Sequence, residues 1–427
     1  MGQNQDVETT VQFHVSIGTP TVSARVGREA IASLIAKLIA SGQAVSKADI
    51  GRVTGLSRTT IDAGVRSLLD LGAVHISGLR SAPGRGRPAE VLRLNSDFGI
   101  VLVADCGATV ARCGVFDLEQ RLLGERELQV RIDAGPQTVL AAIVACFQEL
   151  LALADLSDAP RTTVVGLPGP VDYWGGTLVR PPIMPGWDGY PVVAELERQL
   201  GGRAILENDV NLRALGEARA EPSKRGPVLY VKVGTGIGVG IVGADGNLLR
   251  GADGAAGDVG HVRVVEATEV CVCGSIGCLE AVASIRAVGI ALGIDGTSEA
   301  DLMAQVVDRI RHQDPATLQA VKERSVYIGE TVVSIIHFLN PERIVIGGTL
   351  ATASDDLLAV VRSIVYSRAL PLATRNLTIS RPALGVNSGL AGGLVIGIES
   401  ALDPDAIASS LQELHRRRAP RYMSEKV

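Results

Sequence analysis

The stretch from Gly257 to Glu280 reads GDVGHVRVVEATEVCVCGSIGCLE and contains three of the six cysteines of the chain. A histidine followed by a Cys-X-Cys-X4-Cys pattern offers one imidazole and three thiolates, a full tetrahedral set of ligands for Zn²⁺. Gly274 and Gly277 let the backbone turn tightly enough for the sulfurs to converge. Three buried structural cysteines are the alternative, but the clustering favours zinc. The predicted metal ligands are His261, Cys271, Cys273 and Cys278.

The chain has 427 residues, of which 46% are hydrophobic, 3% are aromatic and 49 are glycines. This length allows two or three domains, and the glycine-rich profile is typical of α/β proteins. No apolar run approaches the roughly 18 to 20 residues that span a membrane. The start, MGQNQDVETT, is polar and does not resemble a secretory signal. We therefore expect a cytoplasmic protein with no membrane partner, in which zinc explains the clustered cysteines better than disulfides do.

Charge is distributed unevenly along the chain. Residues 22–95 carry 11 lysines and arginines against 5 acidic residues, whereas the whole chain has a net charge of −5. A basic segment on an acidic body indicates that residues 22–95 meet nucleic acid and the rest does not. Residues 1–21 show no periodicity, and we expect them to form a flexible arm.

Residues 22–95 have the pattern of a helix-turn-helix. Apolar residues at three- and four-residue steps predict a helix over 28–40, and Ser46 and Ser57 are placed to cap two further helices. Gly55 supplies the turn between the second and the third. The third helix then presents polar and basic side chains to base edges and phosphates. The predicted DNA contacts on it are Ser57, Arg58, Thr59, Thr60 and Arg66.

A wing is predicted after the third helix. The alternating stretch 73–77 and the later stretch 91–94 read as two strands around a basic Gly-Arg-Gly-Arg-Pro loop. Arg85 and Arg87 in this loop are expected to enter a narrow minor groove of DNA. The alternative is a helical protein-interaction module with a solvated basic loop, but the combined signals favour DNA.

Residues 96–427 contain three glycine turns, each at the end of an apolar strand. A lone glycine run usually marks only a tight hairpin, but three such turns favour a nucleotide-shaped cleft between two α/β lobes. The first two turns repeat one strand-turn-strand plan, which indicates two similar halves. The predicted nucleotide-binding residues are Asp105, Gly107, Thr109, Gly234, Thr235, Gly236, Gly347 and Gly348.

Asp209 follows a predicted strand over 203–206 and can accept a proton from a sugar hydroxyl, as a general base does. The alternative is structural, because Asn208 and Asp209 also have the composition of a cap on the helix that follows. From these residues alone the structural interpretation is preferred.

Taken together, the chain resembles the ROK family (repressor, open reading frame, kinase) from Val22 to about Ser400. The resemblance depends on the helix-turn-helix with its Gly-Arg-Pro wing and on motifs of the body. These motifs are Gly166–Asp172, Pro185–Trp187, Glu207–Asp209, Gly234–Gly238, Gly257–His261 and Cys271–Glu280.

The resemblance implies a winged helix-turn-helix followed by a two-lobed, actin-like ATPase fold that binds sugar between its lobes. It implies a sugar site in which Asp209 is the catalytic base of kinase members and His261 serves both metal and sugar. The implied sugar-binding residues are Asn208, Asp209, Asp258, His261 and Glu280.

Two positions depart from the family pattern. Asp258 replaces a glutamate, which withdraws the carboxylate by one methylene and favours a water-mediated contact or a different ligand. Ala108 replaces a glycine in the first turn, so a Cβ crowds the phosphate and argues against binding of ATP-Mg²⁺.

The sequence thus predicts a sugar-responsive transcriptional regulator, a repressor of carbohydrate uptake or catabolism genes, released by a sugar or sugar phosphate. Since one small head covers a half-site, we expect a homodimer or homotetramer on double-stranded operator DNA. The alternative function is an ATP-dependent sugar kinase, for which Asp209 and the glycine turns are retained.

Overall fold

A computed structural model describes residues 11–18, 27–80, 88–223, 225–296 and 298–418. The head consists of three helices and a two-stranded antiparallel sheet, the arrangement of a winged helix-turn-helix. Its elements are α1 (Arg28–Ala40), α2 (Lys47–Thr54), α3 (Arg58–Leu71), β1 (Val74–Arg80) and β2 (Ala89–Leu94).

Local capping explains where the head helices begin and end. The Ser46 hydroxyl accepts a hydrogen bond from the Asp49 amide, and that of Ser57 accepts one from the Thr60 amide, each satisfying an otherwise unpaired donor. Gly55 and Gly72 end α2 and α3 in the left-handed conformation that glycine adopts without strain. The predicted helix boundaries are confirmed.

The first lobe of the body is built on a five-stranded sheet of order β5-β4-β3-β6-β9. Strands β3, β6 and β9 are parallel, while β4 and β5 form antiparallel hairpins beside β3. Its strands are β3 (Ile100–Cys106), β4 (Val110–Asp117), β5 (Leu122–Gln129), β6 (Thr162–Leu167), β7 (Val171–Asp172), β8 (Thr177–Leu178) and β9 (Arg203–Asn208), and its helices are α4 (Pro136–Leu153), α5 (Val192–Leu200) and α6 (Asp209–Ala220).

The second lobe repeats this plan on a four-stranded sheet of order β11-β10-β12-β13. The antiparallel hairpin β10–β11 corresponds to β3–β4, and β12 lies parallel to β10 as β6 lies parallel to β3. The prediction of two similar halves is confirmed. Its strands are β10 (Val228–Val233), β11 (Ile237–Val242), β12 (Arg343–Gly347) and β13 (Thr378–Ser380), and its helices are α7 (Leu279–Ala283), α8 (Ile285–Ala291), α9 (Glu299–Arg311), α10 (Pro315–Leu339), α11 (Thr349–Ala353), α12 (Asp355–Arg368) and α13 (Pro371–Thr374).

Two more helices, α14 (Ser388–Ala401) and α15 (Pro404–Arg418), return the chain to the first lobe and the head. Helix α14 lies against α6 with almost no space between the backbones. A Cβ on Gly392 would lie 1.8 Å from the Leu212 carbonyl oxygen, so only glycine permits this approach. The buried Glu217 carboxylate of α6 reinforces the pair by accepting a hydrogen bond of 2.7 Å from the Ser388 hydroxyl.

Residues 11–18 lie against the body, and for this part of the chain the prediction of a flexible arm is wrong. Phe13, Val15 and Ile17 are buried, and Phe13 packs edge-on against Phe116 at 5.1 Å between ring centroids. The Gln120 side chain donates to the Val15 carbonyl and accepts from its amide. Three alternating apolar residues are too short a pattern to signal a strand, but they cover apolar surface that would otherwise meet water.

The head is packed directly on the body, since its apolar core is continuous with that of the first lobe and residues 11–18. The Ser33 hydroxyl of α1 donates a hydrogen bond of 2.6 Å to the Leu402 carbonyl at the end of α14. Burial lowers the pKa of Lys37 on the same helix, while the carboxylates of Glu399 and Asp403 attract its ammonium. Helix α1 therefore contacts the segment that joins α14 to α15.

One helix among the described residues, α4, is long and apolar enough by composition to cross a membrane. Its buried side, which includes Ile143 and Phe147, belongs to the same apolar core as strands β3 and β4. Within the described fold α4 is therefore a core helix of the first lobe.

Candidate functional site

A cavity of about 210 Å³ lies between the two lobes. The ends of β9 and β10, the start of α6, and the segment from Gly257 to α8 contribute to its walls. All five predicted sugar-binding residues line it, although they are spread over more than 70 positions of sequence. They are Asn208, Asp209, Asp258, His261 and Glu280.

Asn208 has the structural role that the sequence allowed. Its side-chain oxygen caps α6 by accepting from the amides of Val210 and Asn211, and its side-chain amide donates to the Gly169 carbonyl at 3.0 Å. The capping interpretation is therefore confirmed. It does not conflict with a binding role, because capping holds Asn208 and Asp209 rigidly at the cavity wall.

Glu207, one residue earlier, supports the cavity wall, although sequence analysis assigned it no role. Its buried carboxylate accepts from the Asn211 side chain at 2.9 Å and from the Arg250 guanidinium at 2.7 Å. Arg250 in turn lies over the Tyr173 ring, 4.1 Å from its centroid. Because Arg250 follows β11 of the second lobe, Glu207 links the two lobes immediately behind the cavity.

Asp209 forms an ion pair with Lys232 of β10, a residue that sequence analysis missed. The Asp209 side chain is only 2% exposed, whereas that of Lys232 is 15% exposed, and both line the cavity. Arg286 and Glu299 also line the cavity and were missed. Burial raises the pKa of Glu299, although the nearby Arg286 charge opposes this shift.

The segment after Gly257 supplies the other sugar-binding candidates. A single helical turn, Val259–His261, places His261 between the cysteines and Asp258. Glu280, on α7, accepts a hydrogen bond of 3.1 Å from the Ile237 amide, and burial raises the pKa of its carboxyl group. The Glu280 carboxyl group lines the cavity and can accept a hydrogen bond from a sugar hydroxyl.

The predicted metal ligands converge on one point. Their four ligand atoms lie within 4.8 Å of one another. The Cys273 and Cys278 sulfurs are 3.7 Å apart, as are the Cys271 sulfur and Nδ1 of His261. A tetrahedral zinc ion with Zn–S bonds of about 2.3 Å requires separations of roughly 3.6 to 3.8 Å, whereas a disulfide requires about 2.05 Å. The cluster therefore has the donors and spacing of a metal site.

Orientation of the His261 ring connects this cluster to the cavity. Nδ1 faces the Cys271 sulfur, while Nε2 lies 3.9 Å from a carboxylate oxygen of Asp258. A metal on Nδ1 would leave the proton on Nε2, the nitrogen on the cavity side. Backbone hydrogen bonding, chiefly from Ser275, lowers the pKa of Cys273 to about 7, which favours the thiolate that a metal requires.

The glycine turns that we predicted to bind nucleotide lie in different surroundings. Thr235 and Gly236 line the cavity, and the Gly347-Gly348 turn approaches the end of β10. Asp105, however, is buried and forms an ion pair of 2.7 Å with Arg213, so its carboxylate does not face the cavity. Gly107 and Thr109 form the hairpin between β3 and β4, and binding of nucleotide to these turns stays a prediction.

The predicted DNA contacts lie on the surface of the head. Ser57, Arg58, Thr59 and Arg66 are exposed on or beside α3, while the Thr60 hydroxyl lies 2.7 Å from that of Ser57. Arg85 and Arg87 lie outside the described residues. The exposed Arg52 and Arg80 extend the basic surface on α2 and β1.

Comparison with known proteins identifies the family. The model of the ROK family matches residues 101–399. A glucokinase from Halalkalibacterium halodurans is 33% identical over 68% of this chain and 92% of its own length. A xylose repressor from Caldicellulosiruptor bescii is 26% identical over 86% of this chain and 95% of its own. This chain belongs to the ROK family.

A solved structure supports the complete architecture. The crystal structure of a ROK family transcriptional regulator, a homologue of the Escherichia coli Mlc protein, has a TM-score of 0.73. It is 23% identical and aligns with 90% of this chain and 99% of its own, which includes the region of the head. At this identity the likeness establishes the fold, and the predicted fold class is confirmed.

Proposed function

We propose that this protein is a sugar-responsive, DNA-binding transcriptional repressor of carbohydrate uptake or catabolism genes, acting in the cytoplasm. One observation carries the proposal: a winged helix with an exposed basic recognition helix shares a continuous core with a body that contains a sugar-sized cavity. A kinase has no need of such a head. The xylose repressor matches this chain over 86% of its length, whereas the glucokinase matches 68%.

Recognition of DNA is assigned to α3 and the wing. Arg58 and Thr59 lie at the N-terminal end of α3, where a recognition helix meets base edges, and Arg66 lies two turns further along. Arg85 and Arg87 complete the contact from the wing by entering the minor groove. Because one head covers a half-site, a homodimer or homotetramer binds a pseudo-palindromic operator.

Zinc and sugar share His261 in this proposal. Zn²⁺ would be held by His261, Cys271, Cys273 and Cys278, of which two pairs of ligand atoms are 3.7 Å apart, as in a tetrahedral site. Bound there, the ion would order the loop and fix the tautomer of His261, which leaves Nε2 protonated to donate to a sugar oxygen. Asn208, Asp209, Asp258 and Glu280 provide the other polar contacts.

Sugar binding reaches the head through two packed helices. Helix α6 begins at Asp209 in the cavity wall, and its last turn contains Arg219, which pairs with Glu399 of α14. Helix α14 leads to Leu402, whose carbonyl accepts the hydrogen bond from Ser33 of α1. A sugar that shifts the start of α6 therefore has a continuous path of close contacts to the head.

Operator binding tests this proposal. DNA fragments selected by the full-length protein from a random library should bind it in fluorescence anisotropy, with an affinity that falls steeply with salt. Arg58→Ala should weaken binding and relax sequence preference by about 1–3 kcal/mol. The double variant Arg85→Ala/Arg87→Ala should weaken binding to all sequences and reduce the salt dependence.

Two controls complete this experiment. Arg131→Ala, at an exposed position of the body that pairs with Asp133, should leave operator binding unchanged. A sugar effector should change operator affinity of the wild type and of the head variants by the same factor. Failure to select any DNA sequence, or wild-type binding by both variants, would remove the repressor proposal.

An ATP-dependent sugar kinase is the second candidate, because Asp209 is retained in a cavity with Asn208 and Glu280. If this activity exists, Asp209→Asn should abolish turnover and leave sugar binding largely intact, since the amide keeps the shape and loses the base. ADP release with a panel of hexoses measures it. Robust turnover by the wild type would favour the kinase over the repressor.

A further inference from the structure

Lys232 is the feature of the cavity that neither the metal cluster nor the sugar-binding residues explain. It is the only residue of β10 that is not fully buried, since its neighbours on the strand all belong to the core. Its ammonium reaches the cavity and contacts a carboxylate oxygen of Asp209. Placing a lysine at this position costs desolvation free energy unless its charge is paired. The buried carboxylate of Asp209 supplies that partner.

This ion pair changes what Asp209 offers a ligand. An ionised carboxylate only accepts hydrogen bonds, and here one oxygen is already engaged by Lys232. The side chain of Asp209 is 2% exposed and that of Lys232 is 15% exposed, so little of the Asp209 carboxylate is accessible from the cavity. Of the two groups, the lysine is therefore the more accessible to a ligand at this point, and it carries three donors and no acceptor.

Further donors converge near the same place. The position that a Cβ would occupy on Gly234 is 3.9 Å from Cε of Lys232. The same position is 3.8 Å from the backbone nitrogen of Thr349 and 3.9 Å from its hydroxyl oxygen. The absence of a side chain at Gly234 leaves this space open. The Lys232 side chain, an amide nitrogen and a hydroxyl oxygen thus lie within 3.9 Å of one point at the second glycine turn.

At Gly236, two residues further along the same turn, the neighbouring side chain is acidic rather than basic. The corresponding Cβ position on Gly236 is 2.7 Å from the Glu280 carboxylate, which lines the cavity with Asp258 and His261. The carboxylates of Asp258 and Glu280 accept hydrogen bonds from hydroxyl groups of a sugar, and Nε2 of His261 donates one. The cavity is therefore divided into an acidic end suited to a polyhydroxyl ring and a cationic end that requires an acceptor.

We propose that Lys232 is a specificity-determining residue that binds an anionic substituent of the effector, so that the cavity selects a monosaccharide bearing a phosphate monoester or a carboxylate over the neutral sugar. The inference rests on the effector role of the cavity proposed above. The sugar ring lies toward Asp258, His261 and Glu280, and the anionic group lies before Gly234 between Lys232 and Thr349. The lysine exchanges part of its contact with Asp209 for a charge-assisted bond to the ligand.

Calorimetric titration of the full-length protein tests this assignment. The probes are three neutral aldohexoses (glucose, mannose and galactose), their 6-phosphates and their uronic acids, with inorganic phosphate as a further probe. At least one phosphate or uronate should bind about tenfold or more tightly than its neutral parent, as a charge-assisted hydrogen bond allows. The two charged series distinguish phosphate from carboxylate, and inorganic phosphate should bind weakly because it lacks the ring.

Variants assign the preference to the lysine. Lys232→Met should abolish the advantage of the charged sugar, whereas Lys232→Arg, which keeps the charge, should retain most of it. Because Lys232→Met leaves Asp209 buried without a partner, the double variant Lys232→Met/Asp209→Asn removes both charges and protects the fold. Loss of the preference in the double variant gives the same support if the single variant does not fold.

Operator binding in the presence of each sugar separates this inference from the proposed function. A neutral sugar that binds and changes operator affinity as strongly as its charged derivatives would overturn the role of Lys232 and leave the repressor in place. An unchanged preference for the charged sugar in Lys232→Met and in the double variant would do the same. If no sugar binds the wild type, the proposed function and this inference both fail.

Discussion

Helix α6, packed on α14, and the 257–280 loop both contribute residues to the walls of the same cavity, yet different forces hold them. Every residue of α14 except Glu399 is buried, and the pair is close enough that glycine is required at the contact. The 257–280 loop instead leaves four aliphatic side chains at least half exposed. They are Val262, Val265, Val270 and Ile276.

This difference distinguishes two sources of structural order, side-chain packing in the helix pair and metal coordination in the loop. Hydrophobic burial stabilises α6–α14, at roughly 25 cal/mol per Å² of apolar surface removed from water. The loop buries less apolar surface, and beyond its backbone hydrogen bonds it is held together by four potential ligand atoms within 4.8 Å of one another. Removal of the metal should therefore leave the packing of α6 on α14 intact but disorder the 257–280 loop.

The largest expected effect is on the loop. Cys271→Ser removes one thiolate, so metal content should fall from about one ion per chain to near zero. Response to the effector should disappear with it, because His261 loses its fixed orientation, while operator binding in the absence of effector persists. Elemental analysis and fluorescence anisotropy on the same preparation measure both.

Cys146→Ser, at a buried cysteine outside the cluster, is the matched control and should keep its metal. A Cys271→Ser protein without metal that still responds normally to the effector would show that the loop is ordered by other means.

A smaller effect is expected on the helix pair. Gly392→Ala places a Cβ against the Leu212 carbonyl, and overpacking of this kind should lower the free energy of unfolding by about 1–3 kcal/mol or more. Metal content should not change. Urea denaturation measures the loss.

Gly51→Ala is the control, because its Cβ meets only the end of the Ile61 side chain at 3.4 Å within helix α2. It should be neutral or stabilise by up to about 1 kcal/mol, the difference in helix propensity. Equal stabilities of the two variants would mean that α14 can move away from α6 without cost.

The smallest expected effect is at the start of α6. Asn208→Ala removes the cap and should cost about 1 kcal/mol, together with loss of effector binding. Asn208→Asp keeps a capping oxygen but loses the donor to the Gly169 carbonyl, so it should recover only part of the stability and should not recover binding. Thermal unfolding with and without effector separates the two, and full stability of Asn208→Ala would contradict a role for the cap.

Local signals were sufficient for much of the architecture. Ser46 and Ser57 mark the starts of two head helices because a cap depends only on the next few residues. The four candidate metal ligands could also be predicted from the sequence. Three of them lie within eight residues, and thiol and imidazole groups clustered in this way have few roles other than binding a metal.

Tertiary structure decided the contacts between residues far apart in sequence. Nothing near Ser33 indicates that its hydroxyl meets Leu402, 369 positions later. The ion pair of Asp209 with Lys232 depends on how the two lobes meet, and that of Asp105 with Arg213 depends on how α6 packs on β3 within the first lobe. Residues 11–18 have too few apolar positions to reveal their burial. Caps, periodicity and clustered ligands are local properties that the amino-acid sequence determines by itself. The charge that faces the cavity is set by packing between lobes, because an ion pair requires two side chains to meet wherever the fold brings them.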